Sequence, residues 1–304
     1  MGDTIIQLAG TPAGEALALA LILLSALSHA IFGAINKSGV DPYLNRGAIN
    51  VCYAIMLAPF ALFTLPWPTA DVWAVLWVTF FAHILYEWLQ SRSFAMGAFT
   101  LVYPIARGTG PFIVTLAALI VFQETLGVGQ LIGMGVLTCS IFGLAWANMR
   151  STRAQGIDPK SLRPAIAAAL GTGVMIAVYT IIDAYGIRLA ENPFTFLAWF
   201  FFMGGFGFPI IALVRWHRMA STDRPAVIDL AYRGLFGSVV AITGFGGLML
   251  ATRLDKVGEA AALRETSIIF ATAIGVLFFR EKIDAIRVFL IFGIAMGAIL
   301  IEFA

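Results

Sequence analysis

The sequence predicts an all-α integral membrane protein of ten transmembrane helices arranged as two inverted five-helix repeats. Three observations lead there: a composition that only lipid can solvate, ten apolar runs of spanning length, and an internal repeat with an odd number of spans in each half. Of 304 residues, 60% are hydrophobic and only 12% charged, with a mean hydropathy of +0.91, whereas an ordinary soluble domain is roughly 25% charged. So few charges cannot cover a water-exposed surface, which excludes a cytosolic enzyme, a disordered chain, a collagen-like chain and a disulfide scaffold. The net charge of +2 lacks the clustered Lys and Arg that a nucleic-acid face needs. Cys52 and Cys139 sit inside apolar runs and read as small core residues. Met1 to Glu15 carries no Lys or Arg, so the first apolar run is expected to remain as a span and not to be cleaved as a signal peptide.

A bilayer core about 30 Å thick requires roughly 20 apolar helical residues. Read with that length, the chain has ten spans, at approximately 14–36, 48–67, 72–90, 101–123, 128–148, 164–187, 194–215, 227–252, 258–279 and 285–303. Runs this long and apolar read as helices, because lipid leaves backbone polar groups to be satisfied within each segment. The breaks carry turn chemistry: Asn36 to Pro42, Pro66-Trp67-Pro68, Gly156-Ile157-Asp158-Pro159 and Asn192-Pro193. The stretch 149–163 is long and polar enough to be a linker, and it divides a first repeat at 14–148 from a second at 164–303.

Loop charges orient the bundle. Loops after odd-numbered spans hold Lys37, Arg46, Arg92, Arg150, Arg153, Lys160, Arg163, Arg215, Arg218, Arg224, Arg233, Arg280, Lys282 and Arg287, whereas the other side holds Arg188, Arg253 and Lys256. That bias, 14 against 3, makes the first side cytoplasmic under the positive-inside rule. Both termini then face outward, as any even span count places them on one side. A multi-pass protein of the bacterial inner membrane is the expectation.

An ungapped shift of 157 residues brings Arg107, Thr109, Thr115, Phe122 and Glu124 onto Arg264, Thr266, Thr272, Phe279 and Glu281. A shift of 151 aligns Lys37, Asp41 and Pro42 with Arg188, Asn192 and Pro193. Five spans per half is odd, so the second copy enters the membrane inverted, an arrangement that recurs in secondary transporters.

Once the loop charges and the charges near the span ends are counted out, the ionisable residues that remain within the spans are His29, His83, Glu87, Arg107, Asp183, Arg264 and Glu265. Charge at membrane depth costs several kcal/mol (about 2.5–3.5 on insertion scales) and therefore faces the bundle interior or a watery cavity. Arg107 lies about 9 Å into its span at 1.5 Å per residue, and Arg264 lies equally deep from the opposite face. Depth pairs Glu87 with Arg107 and Asp183 with Arg264. The plainer alternative is structural ion pairs, or arginines that snorkel to the headgroups. Gly108, Gly110 and Pro111 follow Arg107 and predict a helix break there, or else an ordinary packing kink; the ninth span has no matching proline. Ser25, His29 and Asn36 lie near one face of the first span. His83 and Glu87 are one turn apart with Tyr86 beside them, and Tyr179 and Asp183 repeat that spacing. Histidine or carboxylate in such positions supplies a carrier for a coupling proton, or simply an interhelical hydrogen bond. Gly204-Gly205-Phe206-Gly207 and Gly244-Phe245-Gly246-Gly247 allow close helix approach. No Gly-x-Ser-x-Gly, His-Glu-x-x-His, Walker loop or paired-Cys motif is present, so neither an enzyme nor an ATP-driven pump is expected, and no cofactor or metal.

Tyr103-Pro104-Ile105-Ala106-Arg107-Gly108-Thr109 and Ala262-Leu263-Arg264-Glu265-Thr266-Ser267 resemble the paired motifs of EamA-family proteins in the drug/metabolite transporter superfamily. His29-Ala30, Asn36-Lys37 and Tyr179-x-x-x-Asp183 are similar to first- and sixth-helix patterns of one branch, which also resembles membrane proteins linked with phosphonate use. The resemblance spans nearly the whole chain. It implies alternating access through a central cavity lined by helices one, three, four, six, eight and nine, with five and ten peripheral. Each intramembrane charge named above falls on a lining helix. Ala98 and Ala184 depart from the pattern, where an acid and a glycine are common.

The expected function is secondary-active transport, in the export direction, of small polar or anionic metabolites. Arg107 and Arg264 attract the anionic group, while Glu87, Asp183 or Glu265 neutralise them in the empty state or take up a proton. His29, His83 and Tyr179 complete the expected site. A non-transporting membrane scaffold or receptor is the alternative, and an intramembrane lipid-modifying enzyme a more remote one. The partners expected are a small-molecule substrate and the bilayer, with no nucleic acid.

Overall fold

The computed structural model describes residues 2–36, 40–97, 99–154, 159–279 and 284–303. Lys37, Ala98, Arg280, Glu281 and Lys282 lie outside them, as do residues 155–158 of the expected linker and the side chain of Asn36. The described chain is helical with no strand, and eight of its helices are long and apolar enough to cross a membrane. The fold is therefore that of an all-helical, multi-pass membrane protein.

The helices are α1 (Gly2–Leu8), α2 (Pro12–Asn36), α3 (Pro42–Pro59), α4 (Ala70–Met96), α5 (Phe99–Val121), α6 (Val128–Ala154), α7 (Pro159–Leu189), α8 (Pro193–Arg218), α9 (Val227–Ala241), α10 (Gly247–Leu254), α11 (Val257–Leu263), α12 (Ser267–Phe279) and α13 (Ala285–Phe303). A π-helical turn at Phe60–Thr64 extends α3, a second at Ile242–Gly246 joins α9 to α10, and a 3-10 turn at Arg264–Thr266 joins α11 to α12.

Helix starts follow capping chemistry. The Asp41 carboxylate accepts from the amides of Tyr43 and Leu44 at 3.0 and 3.3 Å, and Pro42 needs no amide partner in the first turn. Asn192 does the same for Phe194 at 3.0 Å, ahead of Pro193. The motifs aligned by the shift of 151 thus open α3 and α8 alike. Helix α3 begins six residues before the start expected at 48, which brings Arg46 into the helix.

Two expectations fail here. Helix α5 runs unbroken through Gly108, Gly110 and Pro111. Its glycines are close-packing positions: a Cβ at Gly110 would lie 2.9 Å from Ile176 Cγ2, and one at Gly108 3.0 Å from Ile141 Cγ2. Packing against α6 and α7 keeps the segment helical where the local sequence alone favours a break. The interruption falls instead in the ninth span, at Arg264–Thr266, which has no proline. Cys139 is also exposed, so it faces the surroundings and is not core. Helix α1, which the sequence reading did not anticipate, folds back through Gly10 (φ 71°), whose amide donates to the Leu254 carbonyl at 3.2 Å.

The principal packing pairs are α3 with α8, α6 with α13, α4 and α5 with α7, α2 with α10 and α12, and α5 with α11. Small residues set several of these approaches. A Cβ at Gly47 would lie 2.3 Å from Ala212 Cβ, and one at Gly297 2.7 Å from the Gly133 carbonyl. This is how helices gain contact in lipid, where no hydrophobic drive between them exists.

Candidate functional site

Between α2, α3, α4, α5, α7, the Ile242–Gly246 turn and the Arg264–Thr266 turn lies a buried cluster of charged and aromatic side chains. Arg46, Arg107, Arg264, Glu87, Asp183, Glu265, His29 and His83 are all buried there.

The expected ion pairs re-form with other partners. Glu87 faces Arg46, not Arg107: Arg46 Nε lies 3.0 Å from Glu87 Oε1, and Asn50 Nδ2 donates to Oε2 at 2.8 Å. The Arg46 guanidinium also sits over Phe32, Tyr86 and Phe245 at 5.3, 5.6 and 6.0 Å, where cation–π attraction adds to the pair. Arg107 reaches across to Glu265, with Nη1 donating to Oε1 at 2.9 Å, and lies 5.6 Å from the Tyr103 ring centroid. Asp183 pairs with His83, Nε2 to Oδ2 at 2.9 Å, and accepts from the Thr79 hydroxyl, not from Arg264. Depth along the membrane normal had suggested the other partners. Helical phase decides, and depth carries no information about it.

Arg264 is left without a carboxylate. It is 1% exposed, and among the described residues no acidic oxygen lies within ion-pair distance of it. Its chain neighbour Glu265 points elsewhere, because consecutive residues on a helical turn do not share a face. Arg264 Nε, Arg107 Nε and Nη2, Glu265 Oε2 and the Tyr179 hydroxyl are buried polar atoms with no hydrogen-bond partner among the described residues. Tyr179 lies within the fields of both Arg264 and Arg107, and His29 within those of Arg107, Arg264 and Arg46. Buried atoms that could hydrogen-bond and do not are expensive, and here they gather around two guanidinium groups.

Aromatic rings close the cluster. His83 and Tyr179 are 4.4 Å apart, Tyr86 and Tyr179 4.8 Å, and His83 and Phe200 4.8 Å; Phe245 lies 5.9 Å from His83 and 6.0 Å from His29. Ser25 donates to the Gly244 carbonyl at 2.6 Å and Ser28 meets Thr243 at 3.1 Å, so α2 holds the π-helical turn that carries Phe245. A small void of about 20 Å³ separates Glu87 from His83, room for about one water. A void of about 640 Å³ between α2, α3, α8 and α10 is lined mostly by apolar residues and includes none of the charged side chains above. Among the described residues no three His, Cys, Asp or Glu could hold a metal ion.

Arg46, Asn50 and Thr79 were missed in the sequence. Arg46 was counted as a loop charge, although Asp41-Pro42, a cap followed by a first-turn proline, was the signal that it begins a helix. It also stands outside the six lining helices that the family resemblance implies.

An all-helical membrane bundle with a sequestered charge cluster at its core is the architecture of a multi-pass membrane protein with a polar interior. Residues 163–303, just under half of the chain, match the family described as the EamA-like transporter family. No curated protein matches it in sequence. One solved structure, described only as the crystal structure of a protein, is 14% identical, with a TM-score of 0.71 over 96% of this chain and 98% of that one. At that identity the likeness concerns the fold alone.

Proposed function

We propose that this protein is a secondary-active transporter that exports small polar or anionic metabolites by alternating access across a bacterial inner membrane. The observation that carries the reading is Arg264, a fully buried guanidinium without a carboxylate, in a cluster whose other two arginines are paired. A cation so placed costs several kcal/mol (about 2.5–3.5 on insertion scales) unless a counter-ion joins it, and a carboxylate, phosphate or phosphonate group on a substrate is such a counter-ion. Tyr179 and His29 flank that position. Arg107 is the second contact, and the substrate competes with Glu265 for it. Glu87 and Asp183 neutralise the rest of the cluster.

Alternating access follows from a bundle of ten spans in two inverted halves, 14–148 and 164–303, joined by 149–163. The packing supports this arrangement. Exchanging the halves maps α3–α8, α6–α13 and α5–α11 onto themselves. It maps α4–α7 onto the contact of α10 with α2, and α5–α7 onto that of α12 with α2.

Arg264→Ala is the test. The variant should reach the membrane in normal amount and lose transport of anionic metabolites in proteoliposomes. Wild-type transport by it across a panel of such anions refutes the arginine role. The tight burial of both arginines, 2% and 1% exposed, favours a second reading, a scaffold that moves nothing. A wild-type protein that transports no member of the panel and gains no thermal stability from any would establish that one.

A further inference from the structure

We propose that the His83–Asp183 pair is the site of a coupling proton, and that this proton occupies the protein together with the anion at Arg264, so that the two are carried as a pair. The inference rests on the anion reading of Arg264. It is drawn from the charge count of the cluster and from where His83 sits.

Three guanidinium groups, Arg46, Arg107 and Arg264, face three carboxylates, Glu87, Glu265 and Asp183. Among the described residues the remaining buried carboxylate, Glu259, belongs to a separate contact with Lys256 and Gln130. With both imidazoles unprotonated the cluster is therefore neutral. An anion alone would bring it to −1 inside a region sealed by aromatic rings, where uncompensated charge is costly. One proton restores neutrality, and it needs a group that can accept it.

His83 is the group whose surroundings fit. Its Nε2 faces Asp183, so the neutral ring donates there and the incoming proton adds at Nδ1. On its own helix it is followed by Tyr86 and by Glu87, which Arg46 and Asn50 already hold. From α7 it meets Asp183 and Tyr179; α8 and the π-helical turn present only the rings of Phe200 and Phe245. Tyr179 is also the ring beside Arg264, so one aromatic side chain separates the proton from the anion. The Glu87–His83 void gives a water a place beside the imidazole on one side. A second void, about 10 Å³, lies against Asp183, Thr180 and Thr252. The proton comes from water on the loading side and leaves with the anion on the far side, with no bond made or broken beyond N–H; in the export direction the pair is driven by the outward gradient of the anion itself, because the inward proton gradient opposes it.

Binding of benzoate, acetate and the monomethyl ester of methylphosphonate, all singly charged from about pH 6 to 9, is measured by thermal stabilisation of the purified full-length protein. Wild-type affinity should weaken by up to about tenfold per pH unit as His83 loses its proton, because linkage is reciprocal. Asp183→Asn removes one negative charge, so it should bind the anion without a proton, no more weakly than wild type and independently of pH. His83→Gln keeps the negative charge and loses the acceptor, so it should bind weakly at every pH. A merely structural pair would make the two variants fail alike. Binding that Arg264→Ala abolishes but that does not change with pH, or equal loss in both His83 and Asp183 variants, overturns the proton site and leaves the anion site standing. No stabilisation of wild type by any of the three anions removes the anion reading, and this inference with it.

Discussion

Arg46 lies one turn into α3 with its charge turned inward onto Glu87 and its flat face against three aromatic rings. Both partners are almost fully buried. Removing one leaves the other charged in an apolar setting, so Arg46→Met should destabilise the fold by about 3–5 kcal/mol, the range for breaking a buried pair. The double variant Arg46→Met/Glu87→Leu should recover most of that loss. Thermal unfolding in detergent, analysed as a double-mutant cycle, checks this; an Arg46→Met protein as stable as wild type would show that the pair contributes nothing. At this scale the sequence singled out Arg107, Arg264, Glu87, Asp183, Glu265, His29 and His83, and the structure buries all seven. The sequence named the wrong pairs, because a residue's depth follows from its position along a span and its partner follows from helix rotation.

Helix α4 is positioned by a ladder of side chains on one face, and α5 by its glycines, but the clearest element-scale device is at the loop before α11. Glu124, at the end of α5, accepts the Val257 and Gly258 amides at 2.7 and 3.1 Å. Arg188, at the end of α7, donates to the Thr252 and Asp255 carbonyls at 2.8 Å each and lies 4.5 Å from the Phe122 ring centroid. A carboxylate at a helix N-terminus and a cation at a C-terminus are where the helix dipoles favour them. Glu124→Ala should therefore lower stability by about 1.5–3 kcal/mol, the scale of hydrogen bonds to a charged group, read as a fall in unfolding temperature. The α6–α13 contact makes a separate case. Gly297→Leu places atoms where the Gly133 carbonyl and Leu137 amide already sit, and overpacking of that kind costs typically about 1–3 kcal/mol. Unchanged thermal stability of this variant would mean that the two helices part freely. The repeat aligns Glu124 with Glu281 and Arg188 with Lys37 but gives no hint that Glu124 and Arg188 converge on one loop.

For the molecule as a whole, the packing pairs respect an exchange of halves even though the family match covers only residues 163–303. The ten spans proposed above would place both termini on one face. Single cysteines introduced at Gly2 and Phe303, in a protein lacking Cys52 and Cys139, should therefore react with a membrane-impermeant thiol reagent from the same side of intact cells. Labelling from opposite sides would overturn the even span count and the inverted halves together.

Composition and apolar run length alone determined that this chain belongs in lipid and is helical, because the absence of water in a bilayer leaves a chain few other ways to satisfy its backbone. They also located the eight helices that are long and apolar enough to cross a membrane, to within about six residues at their ends, and the repeat marked Arg107 and Arg264 as related. Only the tertiary structure decided that Arg46 joins them, that α5 stays helical through Pro111 while a 3-10 turn interrupts the helix at Arg264, and that among the described residues Arg264 alone of the three lacks a carboxylate. Those outcomes depend on how helices are rotated and pressed against one another, and that is settled by side-chain packing between segments far apart in the chain, not by the order of residues within any one of them.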